Sequence, residues 1–510
     1  MSEENVTATT MLVQGMSVNK LMSLLGVGHL EDNSNAFFLL TMSVVIFLMQ
    51  CGFAFLEAGS VRSMNTTNIL IKNLLDSCIS AVCYFSLGWA LAYGTPSNAL
   101  FGYGDFFLIN FDPLKYASWF FQFVFAATAS TIVSGALAER CEFVAYFAYC
   151  ALLTGFVYPV ITHWCWDGNG WLSVGKDGAS YTDFAGSGVV HMLGGTAAFV
   201  GAAILGPRIG RFENSDMPKL HLKGHSVPFA ALGGFILMFG FFAFNGGSQA
   251  QISEPGDGEV VAMAMVNTML SGACSALTVL VWEKIRGAKW SLLMSINAAL
   301  TGMVSACAGC NQIQPWIMLF IGTGAGMSYM FVSMFVAKCK VDDPLDAVAV
   351  HYGGGLWGLL TVPFVMTNEG IFWAFTKKSV MFLVWNAIGA AAITTWTAIT
   401  MGSLFIVLKM FKKFRVPMEI EVKGLDIYKH GEAAYPIAAY GHGWDEKDVE
   451  TVFNYNNAHQ KKSLCENVEM HAYRRKLRNG EPAAPPNQPA ARYPPYTQVI
   501  SINEFCPEAR

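Results

Sequence analysis

Charge is what this sequence has least of. Asp, Glu, Lys and Arg make up 13% of 510 residues, about half the ~25% usual in soluble domains. The 32 cationic and 36 anionic side chains leave a net charge of −4, which excludes a basic footprint for nucleic acid. Cysteine supplies no framework either. The 12 cysteines are scattered mostly singly through apolar segments, as at Cys51, Cys78, Cys83, Cys150 and Cys274, where small buried hydrophobes are expected. Cys307 and Cys310 form a lone CxxC with no second pair or nearby histidine, so neither zinc nor any other metal or cofactor is expected. The first thirty-odd residues lack a basic stretch followed by an apolar one. No cleaved leader is expected, and the first spanning helix must direct insertion itself.

What fills the chain is apolar sequence, 53% of it. Runs long enough for a bilayer core of about 30 Å, about 20 residues each, begin near Ala36, Ile69, Ser118, Val144, Gly186, Val227, Val260, Ser291, Pro315, Ala347 and Ser379. The pattern predicts an all-α polytopic membrane protein with eleven transmembrane helices. Arg208, Arg211, Lys219 and Lys223 follow the fifth run, Lys284, Arg286 and Lys289 the seventh, and Lys409, Lys412, Lys413 and Arg415 the last. By the positive-inside rule the amino terminus is extracellular and the carboxyl tail cytoplasmic. Asn5 with Thr7 is then an accessible glycosylation sequon, whereas the one at Asn65 falls on the inner side. From about Gly424 the chain turns polar and ends in EPAAPPNQPAARYPPY, expected to be extended or disordered. The predicted organisation is an extracellular segment at 1–35, a transmembrane domain at 36–415 and a cytoplasmic tail at 416–510.

Within this apolar background two ionisable residues need a reason. His191 lies in the fifth run, behind Asp183 in DFAGSGVVH, and His351 in the tenth, behind Asp346 in DDPLDAVAVH. An odd number of helices per half would make two five-helix repeats inverted, with a final helix added, and the fifth and tenth helices counterparts. Counting 1.5 Å per residue from opposite faces brings the two imidazoles near the midplane, where transporters of inverted-repeat design bind substrate. A lone intramembrane histidine can be a core residue bonded to a neighbouring helix. A matched pair points to function, because ionisable groups in a bilayer are costly, and the two rings can share a hydrogen bond and pass protons. Asp183, at a helix start, is better read as a cap for backbone N–H groups than as a ligand contact.

Aromatic residues supply the second clue. Phe121 and Phe125 share one helix face at i, i+4, Tyr158 and Trp166 are expected near an outer helix end, and FGFFAFNGGS closes with Phe244 and Ser248. Single aromatics there can belong to an interfacial belt. Converging ones with a hydroxyl form a cage for a small cation, each face contributing about 0.5–2 kcal/mol.

With these stretches in view, the chain resembles the ammonium transporter (Amt/Mep/Rh) family, on its Amt side. The likeness runs from FAFLEAGSVRSMNTTNILIKNLLD at Phe53–Asp76 through GALAER at Gly135–Arg140, DFAGSGVVH, FNGGS and DDPLDAVAVH to GLDIYKHGEAAYP at Gly424–Pro436. The resemblance implies a plasma-membrane homotrimer, not an enzyme, with one pore per subunit for ammonium or ammonia. It also implies roles: Trp166, Phe121 and Ser248 in cation recruitment, with Tyr158 beside them, Phe125 and Phe244 as a gate, His191 and His351 as pore and proton relay, and Asp183 as support. Asp346 is expected to support the second histidine in the same way. Phe241 stands where many relatives have tryptophan and is expected to alter the vestibule. An ammonium sensor signalling through the tail to cytoplasmic regulators is the alternative reading.

Overall fold

The computed structural model describes residues 27–212 and 222–436. Asn5, Lys219 and the Pro-rich end lie outside the described residues. Within them all regular structure is helical, apart from isolated bridges such as Cys141 to Arg415. Ten helices are long and apolar enough to cross a membrane: α1 His29–Ser60, α2 Ser63–Tyr93, α3 Pro113–Leu137, α4 Phe143–Val174, α5 Ser187–Leu205, α6 Val227–Gly247, α7 Asp257–Ile285, α9 Pro315–Lys338, α10 Val348–Val365 and α11 Lys377–Met410.

The expected eighth span, α8 Leu292–Ala306, is apolar but has 15 residues, about 22 Å of helix against a core of about 30 Å. It stops at Cys307 because the chain entering α5 takes the carbonyls there: Phe184 N–H donates to Ala308 O at 3.0 Å and Ala185 N–H to Cys307 O at 2.8 Å. An apolar run reads the same whether it crosses a bilayer or ends against other protein. Ten helices thus have the full length for a span, and the expected eighth is present as this shorter apolar helix. Cys307 and Cys310 are free and buried, whereas Cys51 and Cys78, expected to be buried, are exposed on the apolar exterior.

A helix that is apolar all round belongs at the centre of a bundle, and α3 is buried on every side from Phe123 to Leu137. Small residues on α3 and α5 allow close backbone approach. A side chain added at Gly201 would stand 3.0 Å from both Leu137 and Phe405. Helices five apart in the chain pair, α1 along α6 and α5 against α10. Both α5 and α10 open in a π-helical turn, Ser187–Met192 and Val348–Gly353, and each turn carries one of the two histidines. Such turns recur at functional sites because they re-aim side chains.

At one end of the bundle the helix termini are tied by a buried ion cluster. Glu139, held at φ 71°, accepts from the Arg62 backbone N–H at 2.6 Å, from Arg62 Nε at 3.2 Å, from Asn65 Nδ2 at 3.1 Å and from Arg208 at 2.9 Å. Arg208 continues to Asp342 at 2.7 Å, and Arg140 donates to Gly206, Ala138 and Asp342 carbonyls. Burial alone would push the Glu139 carboxyl up, but Arg62 and Arg208 together outweigh it and hold it at about 2; Asp342 is likewise held at about 2 despite burial, by Arg208 and Arg140. The opening of the tail joins the same end. A short helix α12, Met418–Lys423, anchors Arg415 to Glu421 at 2.8 Å, and Asp426 accepts from the Thr67 and Asn68 N–H groups at 3.1 and 2.8 Å.

Candidate functional site

The site is a column of rings through the bundle. Near the start of α3, Phe121 packs on Phe125, with centroids 4.8 Å apart. Phe125 stacks on Phe244 of α6 at 4.1 Å and 25°, and Trp166 meets Phe125 edge-on at 6.1 Å. Phe244 in turn lies 5.4 Å from the His191 ring. Below it the two imidazoles stack at 5.2 Å and 15°, with Nδ1 to Nδ1 at 3.1 Å. Phe53 follows at 6.2 Å from His351. The order along the column is thus Trp166 and Phe121, the Phe125–Phe244 stack, His191, His351 and Phe53.

An Nδ1–Nδ1 contact requires one proton between two nitrogens, so one ring donates and the other accepts. The donor ring then has a bare Nε2 and the acceptor ring carries N–H at its own Nε2. Exchanging the two tautomers requires the shared proton to move while one proton arrives at the bare Nε2 and another leaves the Nε2 of the other ring. His191 is fully buried and its Nε2 has no hydrogen-bond partner among the described residues. A buried polar atom left without a partner is costly, and its ring is the one that neighbours Phe244.

Asp183 is built as a cap. Its Oδ1 accepts from Gly186 and Ser187 N–H at 3.0 and 2.8 Å, and its Oδ2 from Gly188 and Val189 N–H at 2.8 and 3.1 Å and from the Tyr181 hydroxyl at 3.1 Å. Gly186 at φ 102° permits the tight return. Five donors leave the carboxylate no capacity for a ligand. The Trp166 indole N–H donates to the Asp183 carbonyl at 2.8 Å, which fixes the ring and leaves its face as the part it can offer.

Three expectations are corrected by this geometry. The counterpart of Asp183 is Asp343, also eight residues before its histidine, whose carboxylate accepts from the Val348 N–H at 2.7 Å. Asp346 instead accepts from Tyr329 and Ser333 at 2.9 and 3.0 Å, joining α9 to the entry of α10. Tyr158 is not at an outer helix end. It is fully buried two turns below Trp166, and its hydroxyl lacks a partner among the described residues. Phe241 does not line the outer opening; one helical turn deeper than Phe244, it stacks on His191 at 5.5 Å and 28°. Ser248 caps the end of α6, its hydroxyl donating to Phe244 O at 2.7 Å, and a Cβ on the neighbouring Gly247 would lie 3.3 Å from Phe121.

Sequence reasoning also passed over Glu57, Lys72 and Asp76, all buried in spanning helices α1 and α2. Asp76 accepts from Ser130 and Thr131 at 2.7 and 2.5 Å. Lys72 lies 3.8 Å above the Tyr146 ring. The signal was present in FAFLEAGSVRSMNTTNILIKNLLD, where charged residues interrupt an apolar run.

Comparison with known proteins decides the family. Residues 36–435 match the profile described as Ammonium Transporter Family. The chain belongs to the ammonium transporter family. A Caenorhabditis elegans relative named as an ammonium transporter 1 is 51% identical across 81% of each chain. A rice relative, ammonium transporter 1 member 1, is 39% identical over 78% of this chain and 83% of its own. Among solved structures, one titled Sensor Amt Protein superposes with a TM-score of 0.73 at 32% identity, covering 79% of this chain and all of that one. Candida albicans Mep2 shares the fold at a TM-score of 0.69 and 22% identity, over 82% of this chain and 92% of its own. As a member of this family the chain is a multi-pass membrane protein of ammonium transport.

Proposed function

We propose that this chain carries ammonium nitrogen across the plasma membrane by capturing the cation at Trp166, Phe121 and Ser248, admitting it past Phe125 and Phe244, and deprotonating it at His191. The observation that carries the reading is the unbroken ring column ending on an imidazole nitrogen with no partner. Ammonium and potassium are similar in size and charge, so a filter of fixed diameter separates them poorly. A hydrophobic passage penalises either ion by several kcal/mol. Only ammonium can shed a proton, pass as neutral ammonia and leave that proton to the histidine pair. Selectivity then follows from acid–base chemistry.

In this reading the amino terminus and the ring-lined opening are extracellular, the Glu139 cluster and tail are cytoplasmic, and three copies assemble with one pore each. Voltage-clamped cells expressing the chain test it: ammonium should evoke current or isotope-labelled uptake, and the lack of both in protein that reaches the surface would overturn it. Trp166→Leu removes one aromatic face worth about 0.5–2 kcal/mol. The half-saturating ammonium concentration should rise about two- to thirtyfold, and an unchanged saturation curve would assign Trp166 to the interfacial belt.

A second reading, an ammonium sensor, is favoured by the 32%-identical structure titled Sensor Amt Protein. Truncation after Tyr440 should leave uptake intact; a downstream response lost in the same cells supports signalling through the tail, and one retained counts against it.

A further inference from the structure

Beyond His351 the column meets a small cavity of about 20 Å³. Its walls are apolar, Phe53, Leu56 and Leu237 among them, except for His351, Asn297 and Glu57. Glu57 and His351 are its only titratable groups. Glu57 is 1% exposed in the last turn of spanning helix α1, and a buried ionisable side chain there needs compensation. No cation compensates it by contact. Its carboxylate accepts from Ser134 Oγ and from Asn73 Nδ2 at 2.9 Å, both neutral donors. The other charged groups near it are on α2: Asp76, bonded to α3, and Lys72, whose ammonium is turned over Tyr146. A cavity of this size holds about one water, which needs two to four polar partners; Glu57, His351 and Asn297 can supply them.

We propose that Glu57 is the acceptor of the proton that the histidine pair removes from ammonium, reached through a single water in this cavity. The inference rests on the proposed role of His191 and His351. An N–H bond of ammonium breaks and its proton joins Nε2 of His191, leaving ammonia. The proton between the rings shifts from Nδ1 of His191 to Nδ1 of His351. Nε2 of His351, which makes no hydrogen bond among the described residues, releases its proton to the water as the water gives one to the Glu57 carboxylate. Net, ammonium and a carboxylate become ammonia and a carboxylic acid, with both imidazoles neutral before and after the transfer. No oxidant or further reactant is needed. The pair alone cannot complete this transfer, because its two inner nitrogens face each other and the outer nitrogen of His351 needs an acceptor on the far side.

The test is current and isotope-labelled ammonium uptake measured together, across pH, in cells expressing the full chain. Glu57→Gln keeps the shape, with its oxygen accepting from Asn73 and its amide nitrogen donating to the Ser134 hydroxyl, but takes no proton. Ammonium-evoked current should fall about tenfold or more while uptake persists as ammonia. Current and uptake both like the parent would overturn the proposal, and so would loss of both in protein that reaches the surface, since that assigns Glu57 to pore shape. Glu57→Asp draws the carboxylate back by one carbon and should shift the pH profile of the current. An unshifted profile overturns the proposal even where the glutamine variant does not reach the membrane. His351→Ala measured alongside separates the two ideas: a current lowered there and unchanged in Glu57→Gln removes only Glu57, whereas one unchanged in both removes the relay itself.

Discussion

Glu139→Gln is expected to lower stability by about 3–5 kcal/mol, the usual cost of removing one partner from a buried ion pair. The glutamine is nearly isosteric and can still accept from the Arg62 backbone N–H. What is lost is the negative charge between Arg62 and Arg208, which are 4% and 5% exposed. Arg208 would then keep Asp342, whereas Arg62 would keep only the Glu421 carbonyl. The readout is the half-life of the folded protein in detergent at raised temperature, since membrane proteins of this size unfold irreversibly. Lys378→Ala is the contrast. Its pair with Glu369 is nearly half exposed on both sides, and surface pairs contribute about 0–1 kcal/mol.

The same cluster fixes an acid limit. Glu139 and Asp342 are both held at about 2, below their ordinary values of 4.5 and 3.8. A carboxyl whose folded value is depressed contributes stability that is complete above its unfolded value and lost as pH falls through the folded one. Inactivation should therefore accelerate between about pH 4.5 and 2 and show no dependence on these groups near neutrality. Glu139→Gln should be less stable throughout and show a shallower acid slope. An equal slope in the variant and the parent would remove Glu139 from this account.

How much of this was legible in the sequence differs residue by residue. Bilayer thickness writes itself into apolar runs, so α6 and α9 begin at the expected Val227 and Pro315. Helix α1 begins at His29 rather than Ala36 because a helix continues through polar residues that a hydropathy reading discards. Helix α8 begins at Leu292, beside the expected Ser291, and is shorter than its apolar run because Cys307 to Cys310 continue that run as a turn. The histidine pair was legible because an imidazole in a bilayer is costly enough to demand a partner. The pairing of Asp183 with Asp343 was equally present in the spacing, eight residues to each histidine, but Asp346 lies closer to His351 and drew the assignment. Only the backbone N–H geometry separates a capping carboxylate from one bonded to Tyr329 and Ser333. Tyr158 and Phe241 were misplaced because depth along a helix depends on where the helix starts relative to the bundle. Glu57 stood within a stretch already explained by resemblance, and its place on a cavity wall is a tertiary fact.

His191→Leu and His351→Leu should each reduce ammonium-evoked current by about a hundredfold or more, the scale of a lost proton-transfer group. The double variant should lose scarcely more than either single one, because groups that act as a unit are strongly non-additive. Two histidines that were only packing residues would behave otherwise. Each leucine would then cost stability in proportion to the contact removed, the costs would couple through the single 3.1 Å hydrogen bond, and transport would follow the amount of folded protein. Replacing both partners of a buried hydrogen bond by apolar groups is close to neutral for stability, so the double variant should fold and insert. It should also be unable to accept a proton at any pH, and its residual ammonium uptake should track the external ammonia concentration, rising tenfold per pH unit below the ammonium pKa. Discrimination against potassium should persist in that variant, since a dry passage still excludes a bare ion. A double variant that retains full current would place the deprotonation step elsewhere; one that conducts potassium would show that the imidazoles, rather than the hydrophobic walls around them, form the barrier to ions.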